Sequence, residues 1–224
     1  MINIGLLIFP DIDQLDFTGP LEVLSRIPGS AIHIVWKKLE PVRDIHGLIL
    51  TPTILPAQCP RLEILVIPGG PGQEALMEDA EIIDFIRTQA SDVRIVLSVC
   101  TGALVCGAAG LLHGKSATTH WASMNLLKYF GAKPVKRRVV ISENLISCAG
   151  VTAGIDGALV AAAQLVSEKQ AKIIQLAIEY NPKPPFNCGD IRTAPRSIAI
   201  PARKQFAIVS AKPLKTAQRL RRCY

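Results

Sequence analysis

Residues 94–111 read RIVLSVCTGALVCGAAGL, an apolar, β-branched run that passes without a loop into a segment rich in small residues. The spacing predicts a buried strand over 94–99 and a helix over 101–111, because a continuous apolar run is what a parallel strand covered on both faces looks like. The junction falls on Cys100. A strand that runs straight into a helix makes a sharp elbow and lifts one side chain above the sheet edge. There the free N–H groups and positive dipole end of the helix stabilise negative charge. Thiolate is the reactive form of cysteine, so Cys100 is a candidate nucleophile. The alternative is a small buried hydrophobe, the commoner fate of a free cysteine.

Outward from this junction, further strand-length runs lie at 4–9, 32–36, 64–67 and 145–148. Helical patterns lie at 19–26, 80–90, 122–130, 153–166 and 168–179. Such alternation predicts an α/β three-layer sandwich, flavodoxin-like, with a mostly parallel sheet, since parallel strands need crossover connections. The 224 residues are 49% apolar and 19% charged, which suits one domain, expected over 1–195. After Tyr180 the stretch NPKPPFNCGD reads as extended. Pro195, Pro201 and Pro213 are expected to prevent any long terminal helix, leaving 196–224 as a solvated basic tail with no assigned function.

Charge and cysteine usage exclude several classes. The net charge of +7 is concentrated near the end: from Asp190 onward nine Lys/Arg face one acid, leaving 16 Lys/Arg against 17 Asp/Glu before it. A nucleic-acid partner is therefore not expected. The first residues lack a basic region ahead of their apolar run and read as a strand, not a signal peptide. The apolar segment 153–166 carries Asp156 and Gln164, so no membrane span is expected and the chain should be soluble and cytoplasmic. Six cysteines without paired spacing argue against a disulfide framework, and four histidines without ligand spacing against a metal. Cys59, Cys106, Cys148, Cys188 and Cys223 are read as non-catalytic.

Ligands of open parallel sheets collect beyond the carboxyl ends of the strands. Three loops reach that edge. The first, PDIDQLDFTGP (10–20), places Asp16 there, either as an acid/base group or as a cap of the following helix. The second, PGGPG (68–72), makes Gly69 and Gly70 candidates for presenting N–H groups to an anion, or simply a tight turn. The third is the elbow, where the Thr101 N–H joins them. His120, in ATTHW, is a possible pocket residue or a capping and packing one.

Taken together, QLDFTGP, VIPGGPG, SVCTGALVCGAAGLL, GKSATTHW and AGVTAGIDGALVAA resemble the DJ-1/PfpI, class I glutamine amidotransferase-like superfamily over residues 1–195. With EYNPKPPFNCG, the Cys-Thr-Gly elbow and the first-loop Asp look most like its isocyanide hydratases. That resemblance implies a cysteine-dependent hydro-lyase that needs no cofactor, has an isocyanide as substrate and forms a homodimer. It implies attack of Cys100 on the isocyanide carbon, a thioimidate after protonation of the nitrogen, and Asp16 handling that proton and then activating water. The Gly69, Gly70 and Thr101 amides would stabilise charge, the Thr101 hydroxyl would hold water, and backbone near Val151 would touch the sulfur. Asp16 can do this near neutrality only if its pKa is raised, which apolar neighbours such as Ile12, Leu15 and Phe17 would accomplish. Thr101 stands where peptidase-like members carry His. The Pro-broken tail departs from the longer helical tails of isocyanide hydratases. Three rivals remain: a redox sensor or stress protein of the DJ-1 type, an AraC-type ligand-sensing domain lacking its DNA-binding module, and an amide or ester hydrolase.

Overall fold

A computed structural model describes residues 1–221, apart from the side chains of 208–210; Cys223 lies outside the described residues. The central sheet contains β1 (Ile2–Leu7), β2 (Ser30–Val35), β5 (Ile64–Ile67), β6 (Ile95–Val99), β9 (Val139–Ser142) and β10 (Leu145–Cys148). Their spatial order is β2-β1-β5-β6-β10-β9. All neighbours are parallel except the edge pair β10–β9, an antiparallel hairpin. Two small pairs decorate the sheet: β3 (Val42–Arg43) with β4 (Ile49–Leu50), and β7 (Ser116–Ala117) with β8 (Lys133–Pro134).

The register aligns Ile4 with Ile64, Ile64 with Ile95, and Val96 with Leu145, so the middle of the sheet is a continuous apolar slab. Every residue of β5 and β6 is buried, as continuous apolar strands require. Helices α1 (Gln14–Leu24), α5 (Ala153–Leu165) and α6 (Glu168–Ala177) pack together on one face. The other face carries α2 (Gln73–Leu76), α3 (Ala80–Ala90), α4 (Gly102–Ala108), a 3-10 helix (Trp121–Phe130) and α7 (Arg196–Leu220). The outcome is the expected three-layer sandwich. No helix among the described residues is long and apolar enough to cross a membrane.

Three differences from the sequence reading have physical causes. Helix α1 starts at Gln14, not near residue 19, because Asp13 caps it by accepting the Leu15 N–H; Asp16 therefore sits inside the first turn and is not the cap. The segment 121–130 is helical but 3-10. The largest correction concerns the end of the chain, where α7 runs for 25 residues through Pro201 and Pro213. Each internal proline costs about 3 kcal/mol of helix stability. Tertiary packing offsets that cost. Ala199, Thr216 and Ala217 are buried, the Thr216 hydroxyl donates to Glu74 (2.7 Å), Arg219 pairs with Glu78, and Phe206 packs on His120 and Trp121.

Candidate active site

The carboxyl ends of β1, β5 and β6 bring the three loops together. Cys100 directly follows β6 and, with the cap residue Thr101, joins it to α4; its φ is 54°, a left-handed conformation that a non-glycine residue holds only under constraint. The constraint is visible: its N–H donates to the Ala149 carbonyl (2.9 Å), and its own carbonyl accepts the Thr119 hydroxyl (2.6 Å). Gly102 completes the elbow, since a Cβ there would lie 2.1 Å from the Ile67 carbonyl oxygen. The backbone N–H groups of Val151 and Thr101 are directed at the Cys100 sulfur. Val151 also has a positive φ, 24°, so the chain is bent to present that amide.

Asp16 is completely buried. One carboxyl oxygen, Oδ2, accepts the Gly69 N–H at 2.9 Å, and Oδ1 has no conventional hydrogen-bond partner among the described residues. The Cys100 thiol is the side chain placed to interact with that carboxyl. Gly69 also clamps the first loop from the other side, accepting the Asp13 N–H at 3.0 Å. A Cβ on Gly69 would come within 2.5 Å of Thr101 Oγ1 and 2.9 Å of Asp16 Oδ2, so only glycine permits this approach. The Gly70 N–H donates to Thr101 Oγ1 at 3.1 Å. Gly69 and Gly70 therefore do not present free amides, as the sequence reading expected; they position Asp16 and Thr101. The N–H groups of Thr101 and Val151 are the ones directed at the sulfur.

Burial dominates the electrostatics. It pushes the Asp16 carboxyl up to about 8, with the charge of Asp13 adding and the Gly69 and Cys100 hydrogen bonds opposing. It also raises the Cys100 thiol well above its usual value, reinforced by Asp16 and opposed by the Val151 and Thr101 amides. Near neutrality both partners therefore hold their protons in large part, so a thiolate forms only as the thiol proton is passed on.

The structure brings Cys100, Asp16, Gly69, Gly70, Thr101 and Val151 to one point and leaves His120 beside it. His120 caps the 3-10 helix, its Nδ1 accepting the Ala122 N–H, and its ring stacks with Trp121 and Phe206 at 5.2 and 4.8 Å. Burial lowers its pKa to about 4, so it is neutral at physiological pH. It lines an adjoining cleft of about 580 Å³ together with Thr119, Gly150 and Val151, whereas Cys100 and Asp16 do not themselves line that cleft. Two contributors escaped the sequence reading. Thr119 lies in the ATTHW segment already singled out, and Asp13 lies three residues before Asp16, but only the fold shows what they touch. Cys106 and Cys148 are buried in the core, and Cys188 is exposed.

Comparison with known proteins identifies relatives of the whole fold. Residues 3–164 match the DJ-1/PfpI family. Isonitrile hydratase of Pseudomonas putida is 52% identical over 206 residues, covering 92% of this chain and 90% of that protein. Protein DJ-1alpha of Drosophila melanogaster is 27% identical over 190 residues, covering 81% and 86%. Among solved structures, a THiJ/PfpI family protein from Pseudomonas syringae superposes with a TM-score of 0.94 at 39% identity, covering 96% of this chain and 90% of that one. Drosophila melanogaster DJ-1beta, at 22% identity, shares the fold with a TM-score of 0.72, covering 80% and 97%. With the elbow cysteine, the buried first-loop aspartate and the glycine loop on one framework, the chain belongs to the DJ-1/PfpI family.

Proposed function

We propose that the chain is an isocyanide hydratase, adding water to R–N≡C to give the N-substituted formamide R–NH–CHO. The observation that carries this reading is the buried Cys100–Asp16 pair in the elbow of a chain similar to an isonitrile hydratase over nearly its whole length. The isocyanide carbon accepts a nucleophile and then a proton, so the reaction needs a thiol and a proton carrier with a pKa near the working pH. Asp16, at about 8, meets the second requirement.

The Cys100 sulfur bonds to the terminal carbon as the protonated Asp16 carboxyl gives its proton to that carbon and takes up the thiol proton, giving the thioimidate R–N=CH–S. The proton finishes on carbon, which holds the lone pair after sulfur adds, and not on nitrogen as the sequence reading had it. Asp16 next takes a proton from water as the oxygen adds to the same carbon, and returns it to nitrogen. Finally the hydroxyl loses its proton to Asp16, the carbonyl forms, the C–S bond breaks, and the sulfur recovers the proton. The Thr101 and Val151 amides stabilise charge on sulfur as it leaves. The Thr101 hydroxyl, held by Gly70, orients the water. Hydration involves no net oxidation, so no redox cofactor is required.

The same reading places the chemistry in a 1–195 core, with 196–224 as an accessory segment, and takes the protein to work as a cytoplasmic homodimer that binds neither nucleic acid nor membrane. The test is formation of N-cyclohexylformamide from cyclohexyl isocyanide by the purified protein, beside Cys100→Ala and Asp16→Asn. Both variants should fall below about 1% of the parent rate. A parent protein with no turnover overturns the reading and leaves a sensor or another hydrolase in its place.

A further inference from the structure

The cleft beside the sulfur has two distinct zones. Its inner surface is formed by Thr119, His120, Trp121 and Val151, two of which bond directly to Cys100: Thr119 through its hydroxyl and Val151 through its amide. With His120 neutral, this zone carries no charge. The outer rim is cationic and holds Lys136, Arg137, Arg138, Arg192 and Arg203. Two of these charges are answered, Arg138 by Asp156 and Arg192 by Asp190. Lys136, Arg137 and Arg203 have no acidic partner within ion-pair distance among the described residues. Three uncompensated cations around one opening make a local field that attracts a small anion and holds it at the mouth. Arg203 comes from α7, so the terminal helix brings one of the three to the rim while its Phe206 packs on the inner aromatic wall.

We infer that the preferred substrates are isocyanides whose R group bears a carboxylate, with the apolar part against His120 and Trp121 and the carboxylate on the rim formed by Lys136, Arg137 and Arg203. This deepens the hydratase reading and rests on it. A guanidinium matches a carboxylate with paired N–H donors, which a purely hydrophobic substrate would leave unused.

The experiment compares trans-4-isocyanocyclohexanecarboxylate with its methyl ester, whose saturated ring insulates the reacting carbon from the change in charge. At low ionic strength kcat/KM should be about tenfold higher for the carboxylate, as expected if each of three exposed charge contacts contributes about two- to threefold. The ratio should fall toward one in 0.5 M salt, with screening, and in Arg137→Gln/Arg203→Gln. The ester should change less than about twofold in that variant, and Arg137→Lys/Arg203→Lys should recover most of the preference. Equal kcat/KM for the two substrates, or a preference that survives both salt and the double substitution, overturns the inference and leaves the hydratase reading intact. If neither isocyanide is turned over, the hydratase reading fails. Calorimetric binding of the corresponding formamides then still decides the cleft, since a carboxylate that binds no tighter than its ester, or no tighter than inorganic phosphate, overturns it.

Discussion

Replacing Asp16 with Asn removes one proton-binding group, and the pH dependence of stability should report it. Asp16 is fully buried, and its carboxyl is pushed up to about 8, first by burial and then by the charge of Asp13. In the unfolded chain an aspartate titrates near ~3.9. A folded pKa above the unfolded one means that the native state holds a proton the unfolded state has released. Between about pH 4 and pH 8, therefore, stability falls as pH rises, and outside that window the two states bind protons alike at this group. One proton gives a slope of about 1.4 kcal/mol per pH unit, so the parent should lose about 3 kcal/mol relative to Asp16→Asn between pH 5 and pH 7. Asn retains an oxygen to accept the Gly69 N–H, so the local geometry is kept. Urea unfolding of both proteins at pH 5, 6, 7 and 8, followed by tryptophan emission, gives the difference directly. Groups common to both, His120 included, cancel. A stability difference that stays constant across this range would mean that Asp16 is already ionised in the folded protein, and its assignment as the proton carrier would fall.

Three further outcomes follow from the geometry. Gly69→Ala forces a Cβ to within 2.5 Å of Thr101 Oγ1 and 2.9 Å of Asp16 Oδ2, so kcat should drop at least about 100-fold in a variant whose circular dichroism remains native; parental turnover would contradict the clamp. His120→Phe should leave the pH–rate profile between pH 6 and 8 unchanged, because His120, held near 4, is neutral throughout. In the parent its folded pKa lies below the unfolded ~6.5, so stability is lost as pH falls from about 6.5 to 4, by up to about 3 kcal/mol, and His120→Phe should abolish that acid loss in unfolding titrations. Phe206→Ala should cost about 1–2 kcal/mol and shift the emission of Trp121, whose ring lies 5.3 Å from it; unaltered stability and emission would show that α7 does not dock there.

Much of the fold was legible because its central strands are buried on both faces. Ile64–Ile67 and Leu145–Cys148 end where the apolar runs end. The strands β1 and β2 are displaced by one or two residues from the runs at 4–9 and 32–36, since their ends are set by pairing register as much as by composition. The antiparallel edge strand β9 went unread, because VVIS is too short to stand out without its partner β10. Helix α1 begins five residues before the helical pattern at 19–26 because its cap is Asp13, and Pro20 lies inside it. The long α7 was missed for the same kind of reason: the prolines are local penalties, and what outweighs them is packing against residues far away in sequence.

The sequence by itself determined where the candidate site lies. A strand-to-helix junction must put Cys100 at the sheet edge, and parallel topology must bring the loops holding Asp16 and Gly69 to that same edge. Only the tertiary structure decided what those groups do there. The Gly69 and Gly70 amides are taken by Asp16 and Thr101, the proton affinity of Asp16 is raised by complete burial, and His120 stands against Phe206 in a neighbouring cleft. Each of these depends on partners distant in sequence, 53 residues in the case of Asp16 and Gly69. Desolvation and hydrogen-bond competition arise only when such segments are packed together, so no local pattern records them.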